Sequence, residues 1–157
     1  MLFRSAPGPQ LIPDLTVASV DNAQATTDPQ TLQLTGTLAA DIENGGTLPV
    51  PSGVAVLAFT DVNNNLNFDP GVDVELGRTI TANAIGIGAS ATVQIPVTGQ
   101  LSFRDAPISV WVDSEQAVNE SNEANNVDAT TSACAVKPSL GNLVTDPNDP
   151  QIGRAHV

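Results

Sequence analysis

The clearest pattern in the sequence is an alternation of apolar and polar positions over residues 31–42. A period of two is typical of a strand with one buried face. The even positions, which we expect to face the core, are Leu32, Leu34, Gly36, Leu38, Ala40 and Ile42. Gly36 within this run predicts a bulge or a tight bend.

Five further segments have the length and composition of short strands. They are Asp14–Val20, Val54–Thr60, Val74–Thr81, Ala91–Val97 and Pro107–Asp113. The second is apolar throughout and predicts a central strand, whereas Pro96 places the fourth at a sheet edge or strand end. Residues 21–30 and 43–53 are predicted as loops. Since no window keeps helical spacing, we predict an all-β fold, an immunoglobulin-like antiparallel β-sandwich of about seven strands.

The chain has 157 residues, which suits one domain with tails. Its ends, Met1–Ser5 and Ile152–Val157, resemble a translated sequencing-library adapter and are left out of the fold prediction. Residues 6–12 are rich in Pro and predicted to be a linker. Residues 13–128 are predicted to form the domain, and residues 129–151 a connector to a further module downstream.

Composition excludes several classes of function. With 17 acidic against 5 basic residues, the net charge is −12, so a nucleic-acid partner is not expected. No segment is long and apolar enough to predict membrane insertion. The only histidine, His156, lies in a suspected adapter end, which leaves no His-based catalytic triad. The single cysteine, Cys134, excludes an internal disulfide, and the sequence leaves its role open.

Oxygen-bearing side chains recur at alternate positions in the stretch DVNNNLNFDPGVD, residues 61–73. The candidate calcium ligands are Asp61, Asn63, Asn65, Asn67, Asp69 and Asp73, with Asn67 acting through its backbone carbonyl. An EF-hand loop has the same spacing, but it needs Gly at its sixth position and an acid at its twelfth. Those positions are Leu66 and Val72 here. The flanking segments are also strands, so an EF-hand proper is excluded.

Two interpretations of this loop stay open. It is either a calcium loop within a β-hairpin or a solvated hairpin loop in which Asn and Asp form Asx turns. Neutral Asn replaces Asp at several ligand positions, so any calcium binding should be weak, about 10⁻⁴–10⁻³ M. Calcium would then act as a structural fastener and not as a sensor.

Three stretches resemble the CARDB family, the cell-adhesion-related domain found in bacteria. They are PDLTV (13–17), GTLAADIENGGTLPVPSGVAVLAF (36–59) and VWVDSEQAVNESNEANN (110–126). The third is the most specific, with its pattern Val-Asp-x-x-x-x-Val-x-Glu-x-x-Glu-x-Asn-Asn. The resemblance implies an immunoglobulin-like sandwich that occurs in tandem copies on extracellular and cell-surface bacterial proteins.

Two features near the end of the predicted domain allow alternatives. The stretch NESNEANN (119–126) either supplies a second metal site or a partner contact, or it caps a tight turn by bonding backbone N–H groups. We favour the capping role. Trp111 alternates with Ile108, Val110 and Val112 and is either an exposed anchor or, as we favour, a large core residue.

The sequence therefore predicts a non-catalytic structural or adhesion module, a spacer or interaction domain of a larger bacterial surface or secreted protein. Its expected partners are neighbouring domains of the same polypeptide and a cell-surface protein or glycan. Two alternatives are an accessory domain of an extracellular hydrolase and a carbohydrate-binding sandwich. The latter normally needs an exposed aromatic strip, and aromatic residues make up only 3% of the chain.

Overall fold

The computed structural model describes residue 8 and residues 10–130. All regular structure in this part of the chain is β, with seven strands: β1 Leu15–Thr27, β2 Gln33–Asn44, β3 Ala55–Thr60, β4 Val74–Ile80, β5 Ser90–Gln100, β6 Ser109–Val112 and β7 Val127–Ala129. One sheet has the order β1-β2-β5 and the other the order β4-β3-β6-β7. Neighbouring strands are antiparallel throughout. The predicted immunoglobulin-like antiparallel sandwich is confirmed. Both suspected adapter ends, most of the predicted connector and Cys134 lie outside the described residues.

The alternation in the sequence selects the buried face of β2. Leu34, Leu38, Ala40 and Ile42 are fully buried and pack in the single hydrophobic core between the sheets. Leu32 lies in the turn before the strand and packs against this core while partly exposed. Aliphatic side chains from both sheets fill the remaining space, so burial of apolar surface supplies the main stabilisation.

Strand β1 is longer than predicted, and the expected loop over residues 21–27 is wrong. Two irregularities in its pairing with β2, between Val17 and Ser19 and between Asp21 and Gln24, each insert extra backbone. Each shift moves the buried positions by one residue, which hides the period of two from the sequence. The second irregularity ends at Gln24, which pairs with Thr37, and a Cβ atom on the adjacent Gly36 would collide with the carbonyl oxygen of Gln24. The pairing of β2 with both of its neighbours is regular at Gly36, so the bulge predicted at that residue is not found there.

Strand β3 is buried on both faces, as its apolar run predicted. Val56 and Ala58 face the core, whereas Leu57 and Phe59 face away from it and are nevertheless buried. Phe68, from the loop after β3, packs edge-on against Phe59 with 5.5 Å between ring centres. The loops on this outer face are therefore part of the hydrophobic structure.

The described chain runs from one end of the sandwich to the other. Leu15, at the start of β1, lies beside Asn44 at the end of β2 and donates a hydrogen bond to Glu120, in the loop that follows the end of β6. Ala129, at the end of β7, lies beside Ser109 at the start of β6. Since these positions are at opposite ends of β6, the chain enters and leaves the domain at opposite ends.

Candidate functional site

The Asp/Asn loop of residues 61–73 connects β3 to β4. Its first and last acids hold the loop closed. The carboxylate of Asp61 accepts the N–H groups of Asn65 and Leu66, at 3.2 and 2.7 Å. The carboxylate of Asp73 accepts those of Val62 and Asp69, at 2.8 and 2.6 Å. Both acids are buried, so their hydrogen bonds hold the loop in one coiled conformation against the domain.

Three of the candidate ligands meet in this coil. The side-chain amides of Asn63 and Asn65 both donate to Oδ2 of Asp69, at 2.8 and 2.7 Å. The two hydrogen bonds, that from Asn63 first, lower the pKa of Asp69. Half a turn of the Asn63 amide about its Cβ–Cγ bond would place its oxygen beside the same carboxylate oxygen, whereas the amide oxygen of Asn65 already accepts the N–H of Asn67 at 2.9 Å. The carboxylate of Asp69 and the amide oxygen of Asn63 fit the ligand chemistry of a hard cation such as calcium.

The backbone of the loop has the coil that such a site needs, although its sixth residue is not Gly. Leu66 has φ of 59° and Asn64 has φ of 56°. Both are in the left-handed region, which glycine adopts freely and Leu adopts at a cost of about 1–2 kcal/mol. The absence of Gly at the sixth position therefore does not prevent the loop from adopting the left-handed backbone of a calcium loop at Leu66.

The other three candidate ligands are less well placed. The carboxylates of Asp61 and Asp73 bond backbone N–H groups, and Asn67 bonds Asn65 through its amide and its backbone N–H. Asp61, Asp69 and Asp73 do not form a group of carboxylates close enough to share an ion among the described residues. The geometry supports both Asx-type capping and a partial oxygen cage centred on Asp69.

A second acidic cluster lies in the loop that follows the end of β6. One oxygen from each of Asp113, Glu120 and Glu123 lies within 4.8 Å of the others. Asp113 and Glu120 are buried, and Glu123 is exposed. Three carboxylates at this spacing could hold a metal ion, and sequence reasoning missed Asp113 as a member of the group. The pattern Val-Asp-x-x-x-x-Val-x-Glu, which contains both Asp113 and Glu120, was the sequence feature that could have indicated this group.

Most oxygens of this cluster already accept hydrogen bonds from the backbone, which confirms the predicted capping role. Asp113 accepts the N–H groups of Ala117 and Val118, both at 2.9 Å, and Glu123 accepts that of Glu120 at 2.9 Å. These bonds fold residues 113–126 into a compact loop against the edge of the sandwich.

Glu120 attaches this loop to the other sheet. One of its oxygens accepts the N–H of Leu15, and the other accepts the amide of Asn126 at 3.0 Å. Burial, opposed by these two hydrogen bonds and reinforced by the charges of Glu123 and Asp113, raises the pKa of Glu120 to about 7. Within the described residues, the salt bridges are Arg78–Glu75 and Arg78–Glu115, so no basic side chain pairs with Glu120.

A cleft of about 330 Å³ separates the Asp/Asn loop from the loop of residues 113–126. Its lining includes Trp111, Asn65, Asn67, Gln116 and Glu123. Trp111 is half-buried and lies outside the hydrophobic core, so the interpretation of it as a core residue is wrong. Because β6 alternates regularly, Ile108, Val110 and Val112 take the core positions and Trp111 faces the cleft.

None of the residues that the structure describes forms an apolar helix long enough to cross a lipid bilayer.

Comparison with known proteins gives a consistent family and fold. The sequence profile of the CARDB family matches residues 12–130. The solution structure of residues 272–376 of a protein assigned to the cell surface of Methanosarcina acetivorans is 28% identical, with a TM-score of 0.54, and the match covers 76% of this chain and 89% of that one. A CARDB domain from Pyrococcus furiosus, determined in complex with di-metal ions, is 20% identical, with a TM-score of 0.49 and coverage of 77% and 92%. A comparison with curated proteins gives no match.

Proposed function

This chain belongs to the CARDB family, whose domains are cell-adhesion-related modules of surface proteins, and we propose that it is a non-catalytic extracellular spacer that separates neighbouring domains of one polypeptide. The observation that carries this proposal is the path of the chain, which enters and leaves the sandwich at opposite ends. A domain threaded in this way adds its full length to a tandem array. Domains whose termini lie together would add little.

The spacer role makes a distance prediction. Ile12, the neighbour of Leu11 in the chain, exchanges hydrogen bonds with Thr47, just beyond the end of β2. Phe103 lies just beyond the end of β5, two residues after Leu101, which bonds Leu32 before the start of β2. These positions are therefore separated by about the length of β2. A strand of 12 residues spans roughly 40 Å.

The test is a distance measurement between labels at the two ends. Leu11→Cys and Phe103→Cys in a Cys134→Ser background place both labels on exposed side chains. Pulsed electron paramagnetic resonance should give a narrow distribution near 40 Å, as expected for a stiff sandwich. A separation below roughly 20 Å, or a broad distribution, would overturn the spacer role.

The Asp/Asn loop is, in this proposal, a weak calcium site that stiffens the spacer. The convergence of Asn63 and Asn65 on Asp69 and the left-handed backbone at Leu66 support it. Bound calcium would supply a positive charge shared by these oxygens. If the dissociation constant is about 0.1 mM, calcium at about 1 mM stabilises the fold by about 1.4 kcal/mol.

Thermal unfolding in calcium and in chelator tests this part of the proposal. A gain of that size should raise the melting temperature by roughly 5 °C. Asp69→Ala should abolish the difference, whereas Asp105→Ala, an exposed acid outside the loop, should keep it. An unchanged melting temperature of the unmodified chain in millimolar calcium would refute the metal site and leave the spacer role intact.

A further inference from the structure

We propose that the cleft above Trp111, between the Asp/Asn loop and residues 113–126, binds a neutral saccharide. The indole would act as a platform for one face of the sugar ring, and side chains of both loops would bond its hydroxyl groups. This inference goes beyond the spacer role by giving the domain a ligand, and it does not depend on calcium binding.

The floor of the cleft is the first argument. Trp111 lies on the outer face of the four-stranded sheet, between Leu57 on β3 and Val127 on β7. The chain has one Trp, and the structure places it half-buried at the base of a cavity although a dry core was available. No described residue accepts a hydrogen bond from its indole N–H, and this group is not among the buried unpaired polar atoms of the described residues, so solvent or a ligand can reach it.

The walls of the cleft offer further hydrogen-bonding groups without partners among the described residues. They are the side-chain amide of Gln116, Oδ1 of Asn67 and the second carboxylate oxygen of Glu123, whose first oxygen bonds Glu120. Together with the indole N–H, the cleft presents donors and acceptors around an apolar ring. A pyranose has the complementary combination, an apolar C–H face edged by hydroxyl groups that both donate and accept.

The backbone on both walls is strained. Leu66 on one wall has φ of 59° and Gln116 on the other has φ of 50°, although neither is Gly, Asn or Asp. Left-handed conformations of such residues persist only where the surrounding structure fixes them, and they concentrate at binding sites. Here the carboxylate of Asp61 holds Leu66 and the carbonyl of Asp113 holds Gln116.

Charge and size narrow the class of ligand. Glu123 and a net charge of −12 disfavour phosphates and other anions. A volume of about 330 Å³ is near the lower end for ligand pockets and has room for roughly one or two sugar rings. The cleft therefore fits a terminal monosaccharide or disaccharide unit of a glycan.

The intact chain can be titrated with neutral saccharides while the fluorescence of its single Trp is followed. A panel of glucose, galactose, mannose, N-acetylglucosamine and their common disaccharides, each up to tens of millimolar, covers the class. At least one should give a saturable change, confirmed by saturation-transfer NMR on the sugar. Gln116→Ala should weaken that binding at least tenfold, whereas Asn83→Ala, an exposed amide outside the cleft, should not.

A second variant covers the case in which Gln116→Ala fails to fold. Gln116→Gly removes the same amide, and glycine readily adopts a φ of 50°. It should also weaken binding. No saturable change with any saccharide, binding that survives both variants, or binding of lysine-rich or arginine-rich peptides in place of sugars would overturn the proposal. None of these results would alter the separation of labels that tests the spacer role.

Discussion

Protonation of Glu120 should control the stability of this domain between about pH 5 and pH 7. This carboxyl group is 7% exposed and joins residues 113–126 to the first residue of β1. Its environment raises its pKa from 4.5 to about 7, mainly through burial. The folded state therefore retains a proton that the unfolded chain has already released over this interval.

The sign and size follow from proton linkage. Below about pH 4.5 both states are protonated, and the contribution of Glu120 to the free energy of unfolding is constant. Between about pH 4.5 and pH 7 the folded state binds more protons, so stability falls as the pH rises, by up to about 1.4 kcal/mol per pH unit. The total loss is about 3 kcal/mol, complete above pH 7. Asp28 and Asp69, whose pKa values are lowered, act in the opposite direction, but only in more acidic solution.

Urea unfolding at intervals of half a pH unit, in chelator to exclude metal effects, measures this slope. Glu120→Gln removes the titrating group, so its free energy of unfolding should be nearly independent of pH across the interval, whatever its absolute value. Glu43→Gln, an exposed carboxylate on β2, should retain the slope. A flat profile for the unmodified chain, or a slope that survives in Glu120→Gln, would refute the assignment to Glu120.

Two further substitutions test the packing that positions the loops. Gly77→Ala should destabilise the fold by more than about 1 kcal/mol in urea unfolding, because a Cβ atom there would collide with the carbonyl of Pro96 on the other sheet. Gly86→Ala should be tolerated, because a Cβ atom there would lie 3.8 Å from that of Ala89, an ordinary van der Waals contact. Equal effects at the two glycines would contradict the close approach. Asn44→Ala should cost about 3 kcal/mol, because this buried side chain makes four hydrogen bonds, and Asn83→Ala, an exposed amide, is the control. A loss below about 1 kcal/mol for Asn44→Ala would contradict that role.

The sequence predicted the fold wherever one face of a strand is buried and the register is regular. In β2 the alternation named the buried residues, and Pro96 correctly marked β5 as an edge strand. The prediction failed in β1, because two irregularities shift its buried positions. It also failed for β7, which has only three residues, all half-buried, and therefore no alternation to detect.

The candidate sites were harder to predict because they depend on contacts distant in sequence. Alternate oxygen ligands identified the Asp/Asn loop, but only the folded backbone shows that Leu66 takes the conformation expected of Gly. Glu120 and Leu15 are 105 residues apart, and no local pattern reveals their hydrogen bond. The position of Trp111 was assigned to the correct face by alternation, yet the sequence did not show that a cleft lies above that face.

The outer face of β3 explains why a loop of mostly polar sequence contributes to the stability of the sheet. Leu57 and Phe59 need cover, and Phe68, between Asn67 and Asp69 in the Asp/Asn loop, supplies part of it. An edge-to-face aromatic pair contributes about 0.5–1.5 kcal/mol, the same size as the stabilisation expected from weak calcium binding. Because Phe68 is adjacent to Asp69, an ion that orders the loop also holds this ring on the sheet. Loop order and sheet stability are therefore coupled through one side chain, and a metal effect on the loop should appear in global unfolding.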